Sequence, residues 1–103
     1  MIPISARAAI MQALISGSGY GIGLAGRIRL ASGGAVALSD GALYTILRDL
    51  EAEGLVKSHN GEPRRGRPRI YYKLTAGGRK AALKTRDAVL GLFGPEEEGE
   101  GIL

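Results

Sequence analysis

The chain contains no cysteine and no tryptophan, and it has one histidine and one phenylalanine in 103 residues. Without cysteine, neither a disulfide framework nor a thiolate metal site can be built, and a reducing compartment is permitted. His59 has no nucleophile placed beside it, and the carboxylates are scattered rather than set at metal-ligand spacing. The expectation is a surface histidine on a strand, in a protein that is not an enzyme and needs no cofactor or metal. No apolar run approaches bilayer length. The N-terminus, Met1-Ile2-Pro3-Ile4-Ser5-Ala6-Arg7, lacks the charged-then-apolar layout of a secretory signal. These absences read as a soluble, cytoplasmic protein with no membrane partner.

Glycine and positive charge are plentiful. The 17 glycines are spread along the chain rather than gathered in a linker, so they do not mark the body as disordered. The formal net charge is +4, but Glu96, Glu97, Glu98 and Glu100 hold four of the ten acids. The rest of the chain therefore sets fourteen cations against six acids, a balance that suits a polyanionic partner such as nucleic acid.

Hydrophobic spacing predicts a helix from Ser5 to about Ser16, with Ala6, Ile10, Ala13 and Leu14 on one face. After Gly17-Ser18-Gly19, a second helix starts near Tyr20 with Tyr20, Leu24 and Ile28 in line, and Gly33-Gly34 ends it. Ala35-Val36-Ala37-Leu38 reads as a short extended lead into a third helix. That helix carries the strongest local signals of the chain. Ser39 is an N-cap, Asp40 meets the positive end of the dipole, and Gly54 stands where a left-handed residue stops the helix. Leu43, Ile46, Leu47 and Leu50 form its apolar stripe, and Gly41, Ala42, Tyr44, Thr45 and Arg48 its other face.

Beyond Gly54 the period changes. Leu55 to His59 reads as a strand, Asn60-Gly61 as a turn signal, and Arg69 to Leu74 as an alternating strand with Ile70, Tyr72 and Leu74 to one side. The intervening Glu62-Pro63-Arg64-Arg65-Gly66-Arg67-Pro68 is a loop rich in arginine. Thr75 caps a last helix with Ala82, Leu83, Val89, Leu90 and Phe93 along one side, stopped by Gly94-Pro95. The order predicts a mainly α fold with a small β-wing, a winged helix-turn-helix over 1–74. A dimerisation helix follows over 75–93, and an acidic tail expected to be disordered over 94–103.

Four blocks, in order, resemble the PadR family of bacterial transcriptional regulators over roughly residues 8–93. They are Tyr20-Gly21-Ile22-Gly23-Leu24, Leu38-Ser39-Asp40-Gly41-Ala42-Leu43-Tyr44, Leu50-Glu51-Ala52-Glu53-Gly54-Leu55-Val56, and Gly66 to Thr75 followed by Gly78-Arg79. The resemblance implies a homodimeric repressor on a palindromic operator in double-stranded DNA. It also implies release by a small hydrophobic effector, which family members bind between their subunits. Ala42 stands where the family often has Thr, and Thr45 where it often has Pro, which bears on the operator sequence rather than on the mode of binding.

Under this reading Ser39, Gly41, Ala42, Tyr44, Thr45 and Arg48 meet DNA. Arg48 addresses a guanine edge or a phosphate, and Tyr44 a phosphate or a thymine methyl. The competing reading pairs Arg48 with Asp49 or Glu51 and leaves Tyr44 half in the core. Arg64, Arg65, Arg67 and Arg69 are expected on the backbone or in the minor groove, because a proline-flanked arginine tip loses little entropy when fixed there. Ile10, Leu14, Leu83, Val89, Leu90 and Phe93 are the expected subunit contacts. Gly21-Ile22-Gly23-Leu24-Ala25-Gly26 fits G-x-G-x-x-G, but the segment before it has helical rather than strand patterning, against a dinucleotide site. The alternative function is a winged helix used as a protein-interaction module, its basic wing taking an acidic partner.

Overall fold

The computed structural model describes residues 4–17, 19–61 and 69–93. Seven elements follow one another: α1 (Ala6–Ile15), β1 (Gly19–Tyr20), α2 (Gly21–Ala31), α3 (Asp40–Ala52), β2 (Val56–Asn60), β3 (Ile70–Leu74) and α4 (Ala76–Phe93). The strands form one antiparallel sheet in the order β1-β3-β2. Three helices, a hairpin and a last helix make the winged helix-turn-helix with a C-terminal extension that the sequence predicts. No helix among the described residues is long and apolar enough to cross a membrane.

The helix ends form as their cap residues dictate. The Ser5 hydroxyl accepts from the Ala8 N–H, and that of Ser39 from the Ala42 N–H, each at 3.1 Å. Gly54 adopts φ 78°, and the Leu55 N–H closes on the Leu50 carbonyl at 2.9 Å, a Schellman ending for α3. Gly33 and Gly34, at φ 63° and 86°, end α2 in the same way, with the Gly34 N–H on the Arg29 carbonyl.

The core gathers one stripe from each helix and the inner face of the sheet. Ile10, Leu43, Leu47 and Leu50 are fully buried, beside Leu14, Leu24, Ile28, Val56, Tyr72 and Ala82. α4 belongs to this core along its first half. Ala82 is buried there, its carbonyl accepts from the Gln12 amide at 2.8 Å, and the Arg79 guanidinium donates to the Ile15 carbonyl at 3.1 Å. A bidentate Arg7–Glu53 pair, at 2.6 and 2.7 Å, ties the start of α1 to the end of α3.

Four expectations are corrected. Tyr20 belongs to a strand, β1, rather than to the second helix, and pairs with Tyr71. Ala35 to Leu38 is a connector without a strand partner. Asn60-Gly61 is no turn. Asn60 pairs with Ile70, and the Gly61 N–H donates to the Arg69 carbonyl at 2.8 Å, so the hairpin runs on past it. Gly61 is glycine for space, because a Cβ there would collide with the Tyr71 ring. Finally, Ile10 and Leu14, expected between subunits, are spent inside the chain's own core at 0% and 2% exposure. They have no surface left to offer a partner. The rest of the loop, 62–68, and the acidic tail, 94–103, lie outside the described residues.

The start of α4 sets two adjacent glycines against each other. A Cβ at Gly78 would run into the Leu55 carbonyl, whereas one at Gly77 meets nothing closer than the Thr75 hydroxyl at 3.9 Å. Gly78→Ala should therefore destabilise the fold by about 1–3 kcal/mol. Gly77→Ala should stabilise it by about 0.5–1 kcal/mol, as expected for an unobstructed helical position. Urea denaturation of both variants checks the opposite signs.

Candidate nucleic-acid interface

The fold leaves one face of α3 in solvent. Leu43, Leu47 and Leu50 point inward, while Gly41, Ala42, Thr45, Arg48, Asp49 and Ala52 are exposed. Ser39 is exposed too, its hydroxyl occupied as the N-cap acceptor. Small residues at the first turn let the helix backbone approach a surface closely. The Thr45 hydroxyl donates back to the Gly41 carbonyl at 2.9 Å, which commits its proton within the helix. Tyr44 is half-buried against the core edge, as the competing reading of that residue held.

Arg48 makes no ion pair or hydrogen bond among the described residues. The nearby acids are otherwise engaged or point elsewhere. The Glu51 carboxylate accepts from the Ser58 hydroxyl at 2.7 Å and from the Ser58 N–H at 3.1 Å. These bonds hold it below the usual carboxylate range. Glu53 is likewise depressed by its hydrogen bonds from Arg7. Burial pushes the Tyr72 phenol up, the neighbouring Tyr44 and Glu51 add to this, and Arg48 opposes it. The outer face of α3 and the β2–β3 hairpin thus meet in one polar junction, with Tyr44, Arg48, Glu51, Ser58 and Tyr72 around it.

Of the wing cations, Arg64, Arg65 and Arg67 lie outside the described residues. Arg69 sits half-buried at the base of the loop. Two cations absent from the sequence-based site stand on the sheet: Lys57 and Lys73 are exposed and directly opposite each other across β2 and β3. Like charges in that register cost stability in the free protein, so this face too favours an anionic neighbour. The register that brings them together was the missing signal, because their separation in sequence does not reveal it. His59 stacks on Tyr71 with ring centroids 5.7 Å apart, on the same side of the sheet.

Beyond Asp87, α4 is apolar and uncovered. Val89, Leu90 and Leu92 are 41%, 62% and 84% exposed, and Leu83 is half-buried. Leu92 was missed because it falls off the heptad step from Leu83 to Leu90, although it lies three residues from Val89. The side chain of Phe93 is outside the described set. An open apolar hollow of about 290 Å3 lies between α1 and α2, lined by Ile4, Ala9, Ala13, Ile28 and Val36 with Gln12 and Ser32. The G-x-G-x-x-G stretch lies within α2 after a strand that pairs antiparallel, so it has no βαβ frame.

Comparison with known proteins adds a family and a fold. The transcriptional regulator PadR-like family matches residues 10–84. No curated protein matches the chain. A transcriptional regulator from Clostridium thermocellum superposes with a TM-score of 0.70 at 28% identity, over 81% of this chain and 80% of that one. A PadR-like transcription factor from Bacteroides fragilis gives 0.71 at 25%, over 94% and 88%. Bacillus subtilis PadR in complex with operator DNA gives 0.68 at 19%, over 76% of this chain and 44% of that one.

Because the carboxyls of Glu51 and Glu53 are depressed in the folded state, their contribution to stability is present above the unfolded value and lost as pH falls through the folded one. The melting temperature should hold steady near neutral pH and fall below about pH 4.5. In Glu51→Gln/Glu53→Gln it should start lower and fall less. A pH series of thermal melts reads the difference.

Proposed function

The chain belongs to the PadR-like family of transcriptional regulators, and from that membership we propose that it is a cytoplasmic DNA-binding repressor. In this reading it acts as a homodimer on a palindromic operator and is released by a small hydrophobic effector. The observation that carries DNA binding is the solvent face of α3: a capped N-terminus, small residues along the first turn, and, one turn beyond Tyr44, Arg48 with no ion pair among the described residues. A helix N-terminus of this kind enters a major groove, where Arg48 reaches a guanine edge or a phosphate. Ser39, Gly41, Ala42, Tyr44 and Thr45 supply the close contacts around it. Arg64, Arg65, Arg67 and Arg69 hold the flanking backbone. Bacillus subtilis PadR, a protein with the same fold, is known in complex with operator DNA, which supports duplex DNA as the partner.

Dimerisation rests on residues 75–93, α4 with its cap Thr75. Burying a Leu is worth about 1.5–3 kcal/mol, and nothing in the rest of the described chain covers Leu90 and Leu92. A two-fold axis between such helices repeats the recognition helix on the duplex, and a palindromic site follows from that symmetry. The effector is supported by the apolar hollow beside α1, whose walls suit a small hydrophobic compound.

Two measurements test the proposal. In anisotropy titrations Arg48→Ala should cost about 1–3 kcal/mol on a duplex selected from a random library, and less on random DNA. Replacing Arg64, Arg65, Arg67 and Arg69 with Ala should flatten the log–log salt dependence by about 0.9 for each phosphate left without its arginine. Unchanged affinity and slope together would favour a protein-interaction module. In the second measurement, Leu90→Glu with Leu92→Glu should sediment as a monomer and bind DNA poorly despite intact surface arginines. A dimeric double variant would remove the association role from α4.

A further inference from the structure

On the surface of α3, Arg48 and Glu51 stand three residues apart, the separation at which opposite charges pair along a helix. Such a pair would neutralise the one cation that the recognition helix presents. Glu51 is instead drawn away across the junction with the wing. Its carboxylate accepts from both the hydroxyl and the backbone N–H of Ser58, at 2.7 and 3.1 Å. β2 lies at the edge of the sheet, so the outward Ser58 N–H has no strand partner and the carboxylate supplies its acceptor. Arg48 is left without an ion pair among the described residues. The two side chains still share a neighbourhood, since both act on the Tyr72 hydroxyl, with opposite sign.

We propose that Ser58 holds Glu51 away from Arg48, making Glu51 and Ser58 positioning residues that keep the Arg48 guanidinium available to DNA. The inference rests on the reading of Arg48 as a DNA contact. It adds that availability is controlled from the wing, through a clasp that two donors on one residue close around one carboxylate oxygen. Release of the clasp turns Glu51 into a competitor for Arg48, an acid in reach of the same guanidinium that the nucleic acid would use. A strut that merely braced helix against wing would need Glu51 for its bond to Ser58. A clasp that keeps Glu51 occupied becomes dispensable once the charge on Glu51 is removed.

The two differ in a rescue experiment, read by anisotropy on a duplex selected by the wild-type protein from a random library, with thermal melts to monitor folding. Ser58→Ala, which removes the shorter bond, should weaken binding about three- to fivefold, the most an exposed ion pair can compete for. Adding Glu51→Gln to Ser58→Ala should restore wild-type affinity to within about twofold, because an uncharged amide does not compete for Arg48. Glu51→Gln alone should bind at least as tightly as wild type, which keeps the test decisive even if Ser58→Ala folds poorly. Failure of Glu51→Gln to rescue would show a strut and overturn the inference. Unchanged binding by Ser58→Ala, with Arg48→Ala clearly weakened, would overturn the clasp and leave the Arg48 assignment standing. Unchanged binding by Arg48→Ala would bring both down.

Discussion

α3, the β2–β3 hairpin and α4 are joined at a single threonine. The Thr75 hydroxyl donates to the Gly54 carbonyl at 2.7 Å and accepts from the Gly78 N–H at 3.0 Å, while the Thr75 N–H donates to the Leu55 carbonyl at 3.1 Å. Gly54 is the left-handed residue that ends α3, Leu55 leads into β2, and Gly78 lies in the first turn of α4. Each bond satisfies a backbone group that a helix terminus or a strand end would otherwise leave unpaired. The angle between α3 and α4 is therefore fixed by backbone geometry. The missing Cβ at Gly78 lets the two segments come this close.

α1 completes the frame from the other side. Its C-terminal carbonyls, at the negative end of the helix dipole, receive two guanidinium groups: Arg27 from α2 on Ala13 and Arg79 from α4 on Ile15. Its N-terminal turn carries Arg7, a cation at the unfavourable end of the dipole, and Glu53 compensates it. That ion pair is exposed and of little energetic weight by itself. The structural weight lies in the buried stripe Ala9, Ile10, Met11 and Leu14, which locks α1 into the core.

This bears on how much of the molecule could be read from its residues. Caps and stripes were legible, because Ser39, Gly54, Thr75 and the leucines of α3 act through contacts a few residues away. β1 was not, since two residues carry no periodicity and Tyr20 continues the apolar spacing of α2 just as well. Asn60-Gly61 misled because glycine serves two ends, a positive φ in turns and clearance for a ring, and only the position of Tyr71 separates them. Ile10 and Leu14 misled for a related reason. An apolar stripe announces that something covers it without saying whether the cover comes from the same chain. Arg48 and Tyr44 were legible as neighbours on one helix. The Ser58 clasp and the Lys57–Lys73 register were not, because both depend on which strands meet.

The acids near the end of α3 decide which part of that helix can face a polyanion. Asp49, Glu51 and Glu53 crowd the turn where the dipole is already negative, an arrangement that would repel phosphate if all three were free. Arg7 neutralises Glu53, whereas Glu51, held by the uncharged Ser58, keeps its charge alongside the exposed Asp49. The other end combines a capped N-terminus, small side chains at Gly41 and Ala42, and Asp40, whose charge the positive end of the dipole offsets, while Arg48 lies past the middle. Only around Arg48 does α3 present positive charge, in its second half and beside two acids that keep theirs. The Lys57–Lys73 pair extends that positive field onto the wing. In the proposed interface the acids that flank Arg48 limit the helix's own attraction, and the cations of the wing supply the rest.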